Sequence, residues 1–502
     1  MNTSKANGPD NISNLVLKTC AETLSPSIEY LINKSLKDGS FPIIWKEANV
    51  VPIYKKDDRR DIKNYRPVSL LSCTSKVMER LVYNRLYEYC CQFNLLTPRN
   101  SGFKRRDGSV NRLLYLVENI YRGLDNEQEI AVVLLDITRA FDRVWHKGLL
   151  FKLRNIGISG SLLQWFESYL TSRYQKVVIK GKSSELKRLL AGVPQGSILG
   201  PLLFLIFIND LGEDFVSDLN MFADDTALLQ EYSVKAQAEN ILNNDLKEIS
   251  KWGQQWMVDF NPQKTVFLNF SLKKKKTKLN LSFDNTPIKQ VTEQKYLGLI
   301  LSDDLKWTKH IRFVCSKASK LIGLLYRNSM YFNVNQMSNF YKVAIRPILE
   351  YASVVFDGCS MSDSLLIESV QRRAANVCTG AMKRTESVKV MADLEWETLK
   401  QRRINCKLKL FYKIKNGLVS SGYLQNLIPS VVNLNRDNAR YSTVCSDRFP
   451  SNLRRISEDS PTEKRSAFQH SDGERSERRR SSDGERSERR RNSDGARNIH
   501  NF

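Results

Sequence analysis

Three aspartates lie where carboxylates could bind a divalent metal ion. Asp136 follows a continuous apolar run at residues 130–135, and Asp224 and Asp225 lie 88 residues further on, between two short strand-like segments. A two-residue hairpin turn favours glycine because its central positions need positive φ, so two adjacent aspartates are a poor choice for turning alone. Their carboxylates also repel each other, a cost that a bound divalent cation would remove.

Each acid also has a purely structural interpretation. An isolated Asp-Asp pair is more often a solvated turn, and Asp136 alone could be the N-cap of the helix predicted from about Ala140 to Arg154. Thr138 is available for capping instead, and an ionisable group at the end of a buried strand is costly unless it is paired or binds metal. If strand and hairpin are neighbours in one sheet, at least two carboxylates converge, as the two Mg²⁺ ions of a phosphoryl-transfer site require.

The composition indicates a globular chain that binds a polyanion. Its 502 residues include 78 Lys and Arg against 54 Asp and Glu, a net charge of +24. This excess favours nucleic acid or an anionic membrane surface as partner. No apolar run approaches the ~20 residues of a membrane span, so nucleic acid, not a membrane, is the predicted partner. Nine cysteines without a Cys-x-x-Cys pair and four histidines give no adequate zinc-ligand set.

The predicted elements around the aspartates include a glycine-rich motif at residues 192–201 (GVPQGSILGP), whose backbone must pass close to another group. Gln195 is expected to have an amide free for a ligand, and Ser197 is expected to cap the apolar helix that follows. Arg66 and Lys55 are either solvated charges or phosphate contacts. Other helices are predicted at 12–36, 75–93, 235–256 and 307–352, the last with a break at Arg346-Pro347, and strands at 41–56, 266–270 and 295–301.

The last part of the chain has a different character. Residues 471–481 repeat at 482–492, and a third copy starts at Ser493. With few apolar residues, this tail cannot bury a core and is predicted to be disordered. Residues 461–502 contain 11 Lys and Arg against 8 Asp and Glu, and therefore supply only +3 of the net charge. Most of the positive charge belongs to the part of the chain that is predicted to fold.

The aspartates and the basic body together indicate a nucleotidyl-transferring polymerase, and a series of ordered motifs makes this specific. They are FPIIWKEANVVPIYKK, NYRPVSLLS, LLDITRAFDRVWH, GVPQGSILGPLLF, FADDTAL, NPQKT, KYLGLILSDDLKW and RPILEYAS. In this order they resemble the reverse transcriptase of a LINE-type, non-LTR retrotransposon of the jockey-like kind, from Ser4 to about residue 440. Each motif alone would be weak.

This resemblance implies an α+β fold of the right-hand polymerase type, with fingers, a palm made of an antiparallel sheet plus helices, and a helical thumb. The expected division of the chain is an N-terminal extension at 1–40, fingers and palm at 41–303, the thumb at 304–385, a helical C-terminal region at 386–460 and the disordered repeat tail at 461–502.

The resemblance also implies a role for each site residue. Asp136 and Asp224 would be metal ligands, with Asp225 completing the carboxylate cluster, and Mg²⁺ is the expected cofactor, with Mn²⁺ as an alternative. Lys264 would be the general acid that protonates the pyrophosphate leaving group. The nucleotide would be bound by a steric gate that excludes the 2′-hydroxyl at Phe141, by cations that meet the triphosphate at Arg139 and Arg66, and by the pocket-lining residues Gln195 and Gly196.

The implied activity is RNA-directed DNA polymerisation, with an RNA template, a DNA primer and dNTPs as partners, in the nucleus and cytoplasm as a ribonucleoprotein. No oligomeric state follows from the sequence. Relatives usually have Gln two residues before the Gly-Phe that stands here at 102–103, and many have Lys in place of Arg139. Their upstream endonuclease domain is absent, so either a 5′-truncated copy or a mispredicted one, unable to nick its own target, is expected.

Two other functions compete with this one. A viral RNA-directed RNA polymerase would favour an acid, to engage the 2′-hydroxyl, where Phe141 stands. A catalytically silent RNA-binding remnant of a transposon would be expected to lose its aspartates, yet Asp136, Asp224 and Asp225 are all present. Primer extension separates these alternatives.

Overall fold

Helices and mostly antiparallel strands alternate irregularly along this chain, which confirms the predicted α+β class. The computed structural model describes residues 2–55, 57–273, 276–382, 385–420 and 422–427. All of them belong to one unit, Met1–Val432. The predicted repeat tail at 461–502 lies outside the described residues.

The strands form two larger sheets and two short ribbons. In chain order they are β1 (Glu47–Tyr54), β2 (Tyr65–Leu70), β3 (Glu129–Asp136), β4 (Arg173–Ile179), β5 (Lys182–Ser183), β6 (Lys187–Leu189), β7 (Asp218–Phe222), β8 (Asp225–Tyr232), β9 (Val266–Phe270), β10 (Ser282–Phe283), β11 (Thr286–Pro287), β12 (Lys289–Gln290), β13 (Glu293–Tyr296) and β14 (Leu299–Ser302). The central sheet has the order β12-β9-β3-β8-β7, and a second sheet has the order β2-β1-β4-β5, with β6 against β4. The ribbons are β10–β11 and β13–β14.

The helices pack around the sheets and form most of the C-terminal half. They are α1 (Asn14–Thr19), α2 (Ala21–Lys37), α3 (Cys73–Gln92), α4 (Ser109–Asp125), α5 (His146–Asn155), α6 (Gly160–Leu170), α7 (Gly200–Phe207), α8 (Lys235–Trp256), α9 (Thr308–Arg327), α10 (Val334–Phe340), α11 (Arg346–Glu350), α12 (Met361–Thr379), α13 (Ser387–Asp393) and α14 (Leu399–Lys415). None of the helices in the described ranges has both the length and the apolarity needed to cross a membrane.

Strand β3 is the centre of the fold because both of its faces are buried. Its residues 129–135 are all buried, and successive side chains point to opposite faces of the sheet. Ala131, Val133 and Leu135 join a core with α5, α7 and α8, whereas the intervening residues join a second core with α4, α9 and α12. A strand covered on both sides has a continuous apolar run instead of an alternating one, which is the pattern that predicted it.

The helix predicted from Ala140 to Arg154 is wrong in its first part. A short 3₁₀ helix, Ala140–Arg143, is separated from α5 by Val144 and Trp145. Two backbone amides of the glycine-rich motif donate hydrogen bonds into this break, from Gly192 to the carbonyl of Val144 and from Val193 to that of Phe141, both at 2.8 Å. The helix is interrupted because these carbonyls accept tertiary hydrogen bonds.

The structure also tests two further predicted elements, the strand at 295–301 and the helical region at 307–352. The strand predicted at 295–301 is a hairpin, β13–β14, whose turn places Leu297 and Gly298 at positive φ. The helical region predicted at 307–352 is confirmed. It contains a π-helical turn, Tyr341–Ile345, directly before α11, whose first turn contains Pro347, in agreement with the predicted break.

His310 on α9 makes the stability of the second core depend on pH. The ring is fully buried, its Nδ1 accepts a hydrogen bond from the amide of Ile300 at 3.3 Å, and burial lowers its pKa to about 4. An unfolded histidine has a pKa of about 6.5, so below that pH the unfolded state binds more protons. Stability is therefore lost as the pH falls from about 6.5 towards 4.

We expect His310→Asn, which keeps an acceptor for Ile300 but does not titrate, to reduce this acid sensitivity. Between pH ~7 and pH ~5 the wild type should lose about 2 kcal/mol more unfolding free energy than the variant. Denaturant unfolding at the two pH values measures the difference. Equal losses in both proteins would contradict the assignment.

Candidate active site

The hairpin β7–β8 and the end of β3 bring three aspartates to one edge of the central sheet. Ala223 and Asp224 form the two-residue turn, and Ala223 takes the positive φ of 57° that such a turn needs. Asp225 is therefore the first residue of β8 and not part of the turn. Asp136, the last residue of β3, lies directly opposite Asp225 in the antiparallel register.

The surroundings of Asp224 and Asp225 disfavour the negative charge of these two carboxylates. Asp224 and Asp225 keep exposed surface, but the surrounding protein removes part of their hydration, which is the largest cause that raises the pKa of each. The charges of Asp224 and Asp136 add to this effect at Asp225, whose pKa is raised to about 6. For Asp224, the nearby cations Arg66 and Lys55 act in the opposite direction. A cation bound among the three acids would relieve this repulsion.

Lys264 lies beside Asp136, with its Nζ 3.2 Å from Oδ2 of that carboxylate. The loop that carries Lys264 is fixed to the end of β3 by two backbone hydrogen bonds, from Thr138 N to Asp259 O at 2.8 Å and from Asn261 N to Asp136 O at 2.9 Å. The sequence predicted a role for both side chains but not this ion pair. Asp136 and Lys264 are therefore positioned together at the edge of the aspartate cluster.

The donor set fits a hard divalent cation, although no ion could be held by three side chains as they stand. Within the described residues, no three His, Cys, Asp or Glu side chains are grouped closely enough for that. The carboxylate of Asp136 is engaged by Lys264. Carboxylate oxygens are nevertheless the ligands that Mg²⁺ uses. The negative charges of Asp224 and Asp136 that act on Asp225 are ones that a bound cation would offset.

Phe141 lies on the 3₁₀ helix that follows β3, five residues after Asp136. Its ring is half-buried, stacks on Phe204 of α7 with centroids 4.8 Å apart, and meets the edge of Phe103 at 5.8 Å. Arg139 precedes it in the left-handed conformation, at φ 51°, with an exposed side chain.

The glycine-rich loop packs against β2 from the second sheet. The amide of Ser69 donates to the carbonyl of Gln195 at 2.8 Å, and a Cβ on Gly196, at φ +128°, would lie 2.5 Å from the carbonyl oxygen of Ser69. The expectation that the amide of Gln195 is free is wrong: its Nε2 donates to Oδ1 of Asp142 at 2.9 Å. Gln195 and the segment of Phe141 are therefore joined by a direct side-chain hydrogen bond.

The prediction that Ser197 is the N-cap of α7 is wrong in its position, but Ser197 and a second residue do accept backbone amides at the start of this helix. The amide of Gly200 donates to Ser197 Oγ at 2.9 Å, although the N-cap position itself is Leu199. The fully buried carboxylate of Glu79 on α3 accepts the amides of Ile198 at 2.7 Å and Leu199 at 3.3 Å. An acid on the buried face of a helix was the available signal for this contact, and the sequence analysis missed it.

Asn100 and Gly102 are the most important residues that the sequence analysis missed. Asn100 Oδ1 accepts the amides of Ala223 at 3.0 Å and Gly102 at 2.9 Å, and backbone hydrogen bonds join residues 99 and 101 to Met221. The segment thus covers the free edge of β7 and holds the aspartate turn. Its position two residues before the Gly-Phe of residues 102–103 was the only signal for this role.

We expect Gly102→Ala to destabilise the protein by ~1–3 kcal/mol, as overpacking does elsewhere, and to lower any activity of the aspartate site. An added Cβ would lie 2.3 Å from the backbone nitrogen of Ala223, so the turn would have to move. Gly108→Ala is the control, because a Cβ there meets nothing within 4 Å. Thermal unfolding compares the two variants, and equal stability would contradict the expected overlap.

Comparison with known proteins identifies similar chains. Residues 53–301 match the family described as reverse transcriptase (RNA-dependent DNA polymerase). The probable RNA-directed DNA polymerase from transposon BS of Drosophila melanogaster is 28% identical over 79% of this chain and 45% of its own length. The RNA-directed DNA polymerase from the mobile element jockey of the same species is 29% identical, over 75% of this chain and 42% of its own. The chain therefore spans less than half the length of these curated relatives.

A solved structure of telomerase from Candida albicans, in complex with a fragment of telomeric RNA, is also similar. It has a TM-score of 0.41 and 11% sequence identity, over 74% of this chain and 70% of that one.

Proposed function

Because residues 53–301 of this chain belong to the reverse transcriptase family, we propose that the protein is an RNA-directed DNA polymerase that extends a DNA primer on an RNA template. The relatives over three quarters of the chain are polymerases of jockey-like, non-LTR mobile elements. The observation that carries the proposal is the register of the central sheet, in which Asp136 faces Asp225 and Asp224 forms the adjacent turn. dNTPs are the substrates.

In this proposal Asp136 and Asp224 would hold divalent ions, with Asp225 in support. Bound Mg²⁺ would stabilise the charge that develops on the attacking and leaving oxygens of a phosphoryl transfer. Lys264 donates a proton from its Nζ to the pyrophosphate that leaves. Its place beside Asp136 keeps this amine at the edge of the carboxylate cluster.

The residues around the aspartates bind and select the nucleotide. Arg66 and Lys55 supply positive charge near Asp224, and Arg139 supplies it at the end of β3, where a triphosphate would be neutralised. Phe141 occupies volume where a 2′-hydroxyl would lie and so excludes ribonucleotides. Gln195 and Gly196 form the opposite wall, and the hydrogen bond from Gln195 to Asp142 supports that wall before a nucleotide binds.

The experiment that tests this proposal is primer extension by the purified chain on an RNA template, with dNTPs or NTPs supplied separately. We expect extension with dNTPs. Extension with NTPs alone would favour an RNA polymerase. RNA binding without extension by either substrate would favour the catalytically silent remnant.

RNA affinity is expected to depend on residues 1–460 and not on the repeat tail at 461–502. Residues 461–502 hold only +3 of the net charge of +24, so their deletion should change the RNA dissociation constant by less than about threefold. Affinity should fall steeply with salt in both proteins, because bound counterions are released from the RNA. Titration at several salt concentrations measures both effects. A truncated chain that no longer binds would identify the Arg-rich repeats as the anchor.

A further inference from the structure

A buried arginine connects two parts of the site. One is the segment of residues 98–102, which covers the edge of β7, and the other is the aspartate hairpin β7–β8. Arg112 on α4 is 2% exposed. Its Nε donates to Ser101 Oγ at 2.9 Å, its Nη2 to the carbonyl of Pro98 at 2.8 Å, and its Nη1 to Asn220 Oδ1 on β7 at 3.0 Å. One planar guanidinium thus fixes residues 98–101 against the edge of β7.

Tyr423 covers the other side of this guanidinium. Its ring lies 4.2 Å from the Cζ of Arg112, and its hydroxyl is 2.8 Å from Ser101 Oγ and 3.4 Å from each carboxylate oxygen of Asp107. Tyr115 adds a second aromatic face at 5.5 Å. A cation over an aromatic ring is stabilised most where water is excluded, which is the situation of this side chain.

The 3₁₀ helix Gly422–Leu427 that carries Tyr423 is held by its own contacts. Leu424 is fully buried in a small core with Ile414 and Val419, packed against Leu114 of α4. The hydroxyl of Ser420 donates to the carbonyl of Arg105 at 2.7 Å. The position of Tyr423 therefore does not depend on Arg112 alone.

We propose that Tyr423 is a positioning residue for the aspartate hairpin. The ring of Tyr423 orders Arg112, and the guanidinium of Arg112 orders residues 98–101. Asn100 then holds the turn of Ala223 and Asp224 through the hydrogen bond at 3.0 Å. The inference rests on the proposed function. It states that Tyr423, on a C-terminal element, fixes the position of the carboxylates that the proposed reaction requires. Loss of Tyr423 should slow the chemical step more than it weakens nucleotide or RNA binding. The contacts that lead from Tyr423 to the turn do not involve Phe141, Gln195 or Arg66.

The test compares Tyr423→Leu, which removes the aromatic face, with Tyr423→Phe, which keeps it. Tyr412→Leu on the neighbouring α14 is the matched control, because Tyr412 is 62% exposed. Amide hydrogen exchange over residues 218–226 is measured in the full chain, together with kcat and the KM for dNTP in primer extension. Exchange over β13–β14 serves as the internal reference.

In Tyr423→Leu we expect exchange over 218–226 to accelerate at least about fivefold relative to wild type, with β13–β14 unchanged. We also expect kcat to fall at least about tenfold while the KM for dNTP stays within about threefold. Tyr423→Phe and Tyr412→Leu should remain close to wild type in both measurements.

The proposal is overturned if protection of 218–226 is unchanged in Tyr423→Leu, or if kcat stays within about twofold of wild type despite faster exchange. If the wild type does not polymerise, the proposed function fails. The exchange measurement then still decides whether Tyr423 orders the hairpin.

Discussion

Replacement of Asp224 or Asp136 by asparagine is expected to reduce primer extension at least about a thousandfold, or ~4 kcal/mol of transition-state stabilisation. Asparagine keeps the size of the side chain but removes the charge that a divalent ion needs. RNA affinity should not change, because neither acid supplies the positive charge that binds RNA phosphates. Single-turnover incorporation and RNA titration, on the same protein preparations, measure the two properties separately.

Folding should be almost unaffected by these substitutions. Asp136 loses an ion pair with Lys264 in which both side chains are about half exposed or more, and exposed pairs contribute at most about 1 kcal/mol. Asp224→Asn removes a charge from a repulsive cluster. Asp214→Asn, an exposed acid between α7 and β7, is the control and should keep full activity. Activity within a few-fold of wild type in either site variant would remove the aspartates from the mechanism.

Phe141→Val is expected to lower the preference for dGTP over GTP at least about tenfold, or ~1.4 kcal/mol of differential transition-state binding. The ring selects by volume, since no hydrogen bond to a sugar is available from phenylalanine. Its stacking on Phe204 fixes the ring plane, so the volume is rigid. The ratio of kcat/KM for the two nucleotides, at one temperature, is the measured quantity.

The alternative for Phe141 is a purely structural role in the core. Loss of its contacts with Phe204 and Phe103 would then lower the melting temperature and depress both substrates alike. Phe151→Val on α5 is the control, because Phe151 is 52% exposed and lies on another helix. An unchanged nucleotide ratio with a lower melting temperature would assign Phe141 to the core.

The parts of the fold that depend on local pattern could be predicted from the sequence. Strand β3 could be predicted because burial on both faces requires a continuous apolar run in the sequence. Strand β9 was predicted with the bounds that the structure has. The proximity of Asp136 to the Asp224-Asp225 hairpin was predicted only on condition that their strands are neighbours. The register between β3 and β8 meets that condition.

The remaining features depend on contacts between distant segments, which no local pattern encodes. Asn100 reaches Ala223 across 123 residues, and Glu79 reaches the start of α7 across 119. The break after Arg143 comes from two hydrogen bonds donated by the glycine-rich loop, so the helical spacing of residues 140–154 could not reveal it. The side-chain amide of Gln195 was expected to be free because its partner, Asp142, is 53 residues away in the sequence.

The central claim is tested most directly by addition of a single dGTP to a DNA primer, opposite a cytosine in an RNA template. Wild type and Asp224→Asn are compared with and without Mg²⁺, at protein concentrations that saturate RNA binding in both. We predict one added nucleotide for the wild type with Mg²⁺, and none in the other three reactions. Equal extension by the two proteins, or none by the wild type while its RNA is fully bound, would contradict the assignment of these aspartates to an RNA-directed DNA polymerase.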